Sequence, residues 1–190
     1  MFAGGTGARR GEILALAWPD LDLDAGTAKI SKSLEQTRTA LRVKTTKNKR
    51  TRVITLPASL VELLRFLQER QQENRRLFAA DYRTDLDLVF AAPNGEYLKP
   101  NSITAKACLI AKKAGFRNVG IHSLRHSHGS QMLSKGVPLT TVSKRLGHSN
   151  VYTTATIYAH ALPKEDASAA ELWDREFGCR SERADLSKPS

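Results

Sequence analysis

Cysteine is scarce: only Cys108 and Cys179 occur in 190 residues. Two thiols give no disulfide framework and no metal cluster, so a reducing, cytosolic setting is expected. Cys108 falls in an apolar helical pattern and reads as inert core. No apolar run reaches the ~20 residues that a membrane-spanning helix needs. No basic amphipathic stretch carries the Trp/Phe/Leu face of a membrane-surface helix. The N-terminus lacks the plan of a secretory signal. Glycines crowd the opening MFAGGTGARRG, yet no Gly-Lys-Ser/Thr follows, and Gly5, Gly7 and Gly11 do not run Gly-x-Gly-x-x-Gly. A phosphate-cradling loop is therefore excluded. Acidic residues are few, 19 against 30 Lys and Arg, which leaves a net charge of +11.

That charge, on a chain sized for one domain, points to a polyanionic partner, with nucleic acid first. The apolar share, 41%, is spread along the chain and supports a real core. No internal repeat or internal domain boundary is visible. A turn at the glycines is expected to enter a helix from about Ala8 to Ala17, with Ile13, Leu14, Leu16 and Ala17 inward. Trp18-Pro19 ends it. Asp20 to Ile30 alternates apolar and polar about Ala25-Gly26 and reads as a hairpin. From Lys29 to Arg52 nine cations face the single acid Glu35. Val53 to Leu56 resumes strand character. A basic turn between two strands is a plausible grip on a phosphate backbone.

Pro57-Ala58-Ser59 opens a helix with Leu60, Leu63, Leu64 and Leu67 as its apolar stripe, expected to dissolve near Gln71 to Arg76. Leu88 to Ala91 reads as a short strand and Pro93-Asn94-Gly95 as a turn. Asn101 or Ser102 is expected to cap the next helix, with Ile103, Ala107, Ile110 and Ala114 on one side. A helix from His122 to about Lys135 follows, stopped by Gly136. Pro138 opens another, with Leu139, Val142 and Leu146 inward. A short helix then carries Tyr158. Glu165 to Phe177 is amphipathic, with Leu172, Trp173 and Phe177 as anchors.

The stretch His122 to Tyr158 holds four of the five histidines. His122 and Arg125 are three apart on one helix face. His148 follows Leu146-Gly147 at a helix end, and Tyr158 comes ten residues later. A cation, two imidazoles and a phenol suit chemistry on a phosphodiester, with the cation holding oxygens and the phenol attacking. Singly, each residue has a plainer explanation as surface charge, helix cap or packing.

Together, His122-Ser123-Leu124-Arg125, Leu146-Gly147-His148 and Tyr158 resemble the signature of the tyrosine recombinases, or phage-type integrases. Thr6-Gly7-Ala8-Arg9 resembles the family's first catalytic block. Arg9 is then the first phosphate clamp, with Arg10 its rival by position, and Glu12 one turn on is placed to orient it. The resemblance covers Thr6 to His160 with all blocks in order. It implies a catalytic lysine on the basic hairpin: Lys47 by alignment on Arg52 to Pro57, with Lys44 the alternative. Lys44, Lys49, Arg50 and Arg52 are the expected DNA contacts. The implied fold is α+β, mainly α-helical with a small antiparallel β-sheet. Residues 1–178 form the catalytic domain and 179–190 a disordered tail.

The implied activity is cleavage and rejoining of double-stranded DNA through a 3′-phosphotyrosyl link, without metal, ATP or cofactor. The implied assembly is a homo-tetramer on DNA, in the cytoplasm with the nucleoid. The chain starts almost at the first catalytic block, so it is expected to lack the family's N-terminal DNA-clamping domain and opening helices. An inactive integrase remnant is thus one alternative. A non-enzymatic helix-turn-helix module over Val137 to Tyr158 is another, and explains the charge but not Arg9 or His122-x-x-Arg125. A metal nuclease using His122 and His126 lacks a third ligand in any near frame.

Overall fold

The computed structural model describes residues 1–45, 51–117, 119–161 and 166–177. Two short helices open the chain, α1 over Phe2–Thr6 and α2 over Arg10–Leu14, where the sequence predicts one helix from about Ala8. The break falls at Gly7, whose φ of +66° caps α1 in the left-handed region that glycine enters freely. Thr6 reinforces the turn. Its buried hydroxyl donates to the Phe2 carbonyl at 2.7 Å and accepts from the Ala8 amide at 3.2 Å. The chain therefore leaves α1 in a fixed direction, with Arg9 as the N-cap of α2.

A 3-10 turn at Trp18–Asp20 leads into the strands. β1 (Leu21–Asp22) and β2 (Thr27–Ile30) pair antiparallel, as the alternation predicts, and β5 (Arg52–Thr55) adds to the far side of β2. Between β2 and β5 the basic segment folds into its own two-stranded sheet, β3 (Lys32–Gln36) against β4 (Leu41–Thr45). The architecture is mainly helical, with small antiparallel sheets, two of them among the described residues where one is expected. Ala28 and Ile30 of β2 and Ile54 of β5 alternate inward. They meet Phe2, Ala8, Leu16, Trp18, Leu60, Leu64 and Val89 in the larger core.

Helix α3 runs unbroken from Ala58 to Phe78, past the polar stretch where it is expected to dissolve. Gln71 is the reason. Its side chain turns inward, accepts from Trp18 Nε1 at 2.7 Å and donates to the carbonyls of Leu88 (3.2 Å) and Val89 (2.9 Å). An amide whose donors and acceptor are paired is tolerated inside a core. Leu63, expected in the stripe, is 40% exposed instead. Leu88 to Ala91 forms no strand, only the isolated bridges Ala17 to Leu88 and Ala91 to Tyr97. Gln71 and the Val89 amide to Leu16 carbonyl bond hold it in place.

Helix α4 spans Pro100–Lys113 and starts a residue or two early, because Pro100 occupies its first turn and Lys99 its N-cap. Ile110 (67% exposed) and Ala114 face solvent rather than core, and Cys108 is exposed, not buried as expected. The last helices follow the sequence signals closely: α5 (Ile121–Ser134), α6 (Leu139–Leu146), α7 (Val151–Tyr158) and α8 (Asp166–Phe177). Leu133, Val142, Leu146 and Tyr158 form a second core between α5, α6 and α7. Leu172, Trp173 and Phe177 of α8 are exposed. Lys47, Lys49, Arg50, Cys179 and the 179–190 tail lie outside the described residues. No helix among the described residues is long and apolar enough to cross a membrane.

Candidate active site

Glu12 is the centre from which the site is built. It lies in the first turn of α2 and is buried, only 3% exposed, so it is not the surface charge that its helix position also allows. Arg52 of β5 grips it with both ends of the guanidinium, Nη1 to Oε1 at 3.0 Å and Nη2 to Oε2 at 2.7 Å. Arg9 adds its backbone N–H to Oε2 (2.8 Å) and its Nη1 to Oε1 (3.0 Å). Burial by itself would raise the Glu12 pKa. The hydrogen bonds and charge of Arg52, followed by those of Arg9, outweigh it and hold the carboxyl below its ordinary value.

Two consequences follow for the arginines. Arg9 keeps a side chain that is 44% exposed, steered by Glu12 and by Nη2 to the Gly147 carbonyl at 3.3 Å. Arg10, the rival, turns the other way and binds Thr104 Oγ1 (2.6 Å) and the Pro100 carbonyl of α4. Arg52, expected among the DNA contacts, points inward. Its side chain is 12% exposed, and Nε donates to the Arg145 carbonyl at 2.9 Å while both Nη atoms hold Glu12. Lys44 stays on the exposed hairpin, ion-paired with Glu35.

Arg125 projects from α5 into the junction of α1 and α6. Its Nη1 donates to the Gly7 carbonyl at 2.5 Å and its Nη2 to the Leu146 carbonyl at 2.7 Å. Burial, aided by the Arg9 and Arg52 charges and opposed by Glu12 and Tyr158, pushes its pKa down to about 10. It remains a cation at neutral pH. The Leu146-Gly147-His148 turn comes next. Gly147 has φ +68°, and a Cβ there would lie 2.7 Å from Arg52 Nη1. The turn delivers His148, whose Nδ1 is 2.7 Å from the buried Thr154 hydroxyl. Burial and the charges of Arg125, Arg9 and Arg52 lower the His148 pKa to about 4, so its ring is neutral at pH 7.

Tyr158 ends α7 and is 1% exposed. Its ring lies on Gly129 of α5, where a Cβ would sit 2.5 Å from Cζ. The His148 ring stacks beside it, centroids 6.5 Å apart. From α5 a chain of rings runs from His122 to His126 (4.6 Å) and on to Tyr158 (5.8 Å). Burial raises the phenol's pKa while the charges of Arg125 and Arg9 pull it down.

Arg9, Arg125, His148 and Tyr158 thus converge, with His122 reaching the group through His126. Pair spacing could not have found Arg52 and Gly129 as supports, since Arg52 meets a partner 40 residues away and Gly129 acts by having no side chain. The helix pair α6 and α7 has the outline of a helix-turn-helix, but its connecting turn carries His148 onto Tyr158. Among the described residues no three of His, Cys, Asp and Glu gather to hold a metal, so the His122/His126 pair finds no third ligand there.

Gly7 gives the first test. Its φ is +66°, and a Cβ would fall 2.7 Å from Leu146 Cδ2 and 2.8 Å from His128 Cδ2. A left-handed alanine costs about 1–2 kcal/mol, and overpacking adds about 1–3 kcal/mol. Gly7→Ala is expected to lose about 2–5 kcal/mol in urea unfolding, by the sum of those costs. A loss below about 0.5 kcal/mol, the scatter of neutral surface changes, would refute the described turn.

A mainly helical core with small sheets, and a helix-end tyrosine beside clustered cations, define the class: a tyrosine-recombinase catalytic fold. The chain belongs to the phage integrase family, whose sequence profile matches residues 1–165. A "Tyrosine recombinase XerC-like" protein of Caldanaerobacter subterraneus subsp. tengcongensis is 31% identical over 190 residues, 93% of this chain and 48% of that protein. The Tn1549 transposon integrase, solved with a circular intermediate DNA, superposes over 90% of this chain and 55% of its own, with TM-score 0.73 and 22% identity. XerH recombinase in a post-cleavage complex with palindromic difH substrate gives TM-score 0.65 and 27% identity over 91% of this chain and 44% of its own. The chain spans about half the length of the curated relatives it matches.

Proposed function

We propose that residues 1–178 are the catalytic domain of a site-specific DNA recombinase, with 179–190 as its tail. The observation that carries this is the placing of the Tyr158 ring on Gly129, beside a neutral His148 and in the field of Arg9 and Arg125. The Tyr158 oxygen attacks a phosphate of double-stranded DNA. A 3′-phosphotyrosyl bond forms, the P–O5′ bond breaks, and the 5′-hydroxyl leaves with a proton. The 5′-hydroxyl of a partner strand then attacks the phosphotyrosine and releases the phenol. The bond energy is kept in the covalent intermediate, so ATP has no role.

Arg9 and Arg125 neutralise the charge that gathers on the phosphorane oxygens. A Thr154 hydroxyl donating to His148 Nδ1 leaves the proton on Nε2, where it can hydrogen-bond the phosphate. His122 assists removal of the phenol proton, with His126 between the two rings. Lys47 protonates the leaving 5′-oxygen, Lys44 being the alternative. Lys44, Lys49 and Arg50 contact phosphates along the backbone. Glu12 and Arg52 hold Arg9 in place and touch no DNA. Recombination joins four such sites on two duplexes, and the exposed Leu172, Trp173 and Phe177 of α8 suit docking onto a neighbouring copy. The place of action is the cytoplasm, on the nucleoid.

The test is a nicked DNA substrate that traps the covalent intermediate. Two guanidiniums and a lysine supply the charge that Mg²⁺ supplies elsewhere, so the adduct is expected in undiminished yield in excess EDTA. Loss of the adduct in EDTA, with recovery on adding a divalent ion, would overturn the mechanism.

A further inference from the structure

The proposed chemistry leaves a buried histidine and its half-buried arginine partner unused. His128 of α5 is buried, and its ring lies across the last turn of α1. Nδ1 is 2.7 Å from the Gly4 carbonyl, and Arg145 Nε donates to Nε2 at 3.1 Å. A carbonyl only accepts, so Nδ1 carries the hydrogen. Nε2 must then be bare to accept from Arg145. Both bonds together require a neutral imidazole in a single tautomer. Burial, with the charges of Arg145 and Arg125, lowers the His128 pKa against the opposing pull of the Gly4 carbonyl, which agrees with that state.

Arg145 continues the connection. Its Nη2 donates to the Gly5 carbonyl (3.0 Å) and to the Thr55 carbonyl of β5 (3.1 Å). Its own carbonyl accepts from Arg52 Nε, and Arg52 holds Glu12, which steers Arg9. The same end of α1 supplies the Gly7 carbonyl that receives Arg125 Nη1. Three side-chain bonds therefore fasten Gly4, Gly5 and Gly7 to α5 and α6. Apolar residues could fill this space at a lower desolvation cost. A polar pair adds direction: it fixes where the carbonyls of α1 point.

We propose that His128 and Arg145 are positioning residues, which set the end of α1 and the β5 strand so that the guanidiniums of Arg125 and Arg9 meet the scissile phosphate in register. They act through those two arginines and touch neither DNA nor the phenol. The inference rests on the recombinase reading for its kinetic readout but not for its structural one.

The experiment uses the full chain and three variants. His128→Phe keeps the ring volume and removes both bonds. His128→Asn restores a donor near the Nδ1 position. Arg145→Met keeps the stem and removes the guanidinium. Trapped cleavage is followed in single turnover at saturating DNA, alongside DNA affinity and thermal melting. His128→Phe and Arg145→Met are expected to slow cleavage by about 10- to 100-fold, the cost of misplacing a preorganised group, with affinity unchanged. His128→Asn is expected to recover most of the rate. The double variant is expected to be no slower than the worse single one. Side-chain ¹⁵N spectra of labelled arginine and histidine should show the Nδ1–H tautomer at His128 and a moved Arg125 signal in His128→Phe. An unchanged cleavage rate in a folded His128→Phe protein overturns the proposal, as does an Asn variant no faster than Phe. If His128→Phe fails to fold, the Asn variant and the wild-type tautomer decide. If the wild-type chain forms no adduct, the recombinase reading fails, while the spectra still judge the positioning.

Discussion

The Tyr158→Phe protein is expected to give no covalent adduct on the nicked substrate, a drop on the order of 10⁵-fold or more, because the attacking atom itself is gone. The fold predicts that little else changes. The ring carries the packing: it is buried on Gly129 and shares a core with Leu133, Val142 and Leu146. Phenylalanine keeps that ring, so melting and DNA affinity should stay close to wild type. Tyr152 is the natural control. It lies on the same helix and is exposed, so Tyr152→Phe should cleave normally. Adduct from Tyr158→Phe in undiminished yield, or peptide mapping of the adduct to Tyr152, would refute the assignment. Burial raises the Tyr158 pKa and outweighs the Arg125 and Arg9 charges that favour the phenolate, so the phenol stays mostly protonated at neutral pH and needs a proton acceptor.

How far the sequence alone reaches depends on the range of the interaction. Helices α5 and α6 are bounded by local signals, Gly136, Pro138 and Gly147, and their boundaries agree with the sequence reading, while α7 carries Tyr158 as expected and is capped by Asn150. Arg125, His148 and Tyr158 come together because these short elements are joined by short turns. The opening helix is missed because Gly4, Gly5 and Gly7 together read as a turn, whereas Phe2–Thr6 is already helical and only Gly7, with its positive φ and the buried Thr6 beside it, turns the chain. Gln71 is misread because a polar residue scores as exterior until its three partners are seen, and those lie on other segments. The inward position of Arg52 is hidden for a similar reason. In sequence it is one more cation in a basic run, and nothing local says that it faces a carboxylate 40 residues away. The outward face of α4 shows the opposite error, since Ile110 and Cys108 fit an apolar pattern that no neighbouring element covers among the described residues.

Glu12 carries the largest expected effect on stability. Its removal leaves Arg52 nearly buried and facing no counter-charge, and frees Arg9 from both of its Glu12 bonds. Breaking one side of a buried ion pair costs about 3–5 kcal/mol, more than most single contacts contribute. Glu12→Ala should lose that much in denaturant unfolding and cleave poorly as well, since Arg9 is no longer steered. Glu12→Gln keeps the shape and one acceptor, and should lose less, about 1–3 kcal/mol. Adding Arg52→Met to Glu12→Ala should restore part of the stability, because the unpaired charge is then gone, but not the cleavage. Acid gives an independent check. The Glu12 pKa is below its ordinary 4.5 in the folded protein, so the unfolded chain takes up the proton first. The stabilisation is fully present above that ordinary value and drains away as pH falls through the folded value. Wild type should therefore lose stability below about pH 4.5 more steeply than Glu12→Gln, whose amide cannot titrate. Parallel acid profiles for the two proteins, or a Glu12→Ala loss under about 1 kcal/mol, would show that the carboxylate is not the support of the arginine cluster.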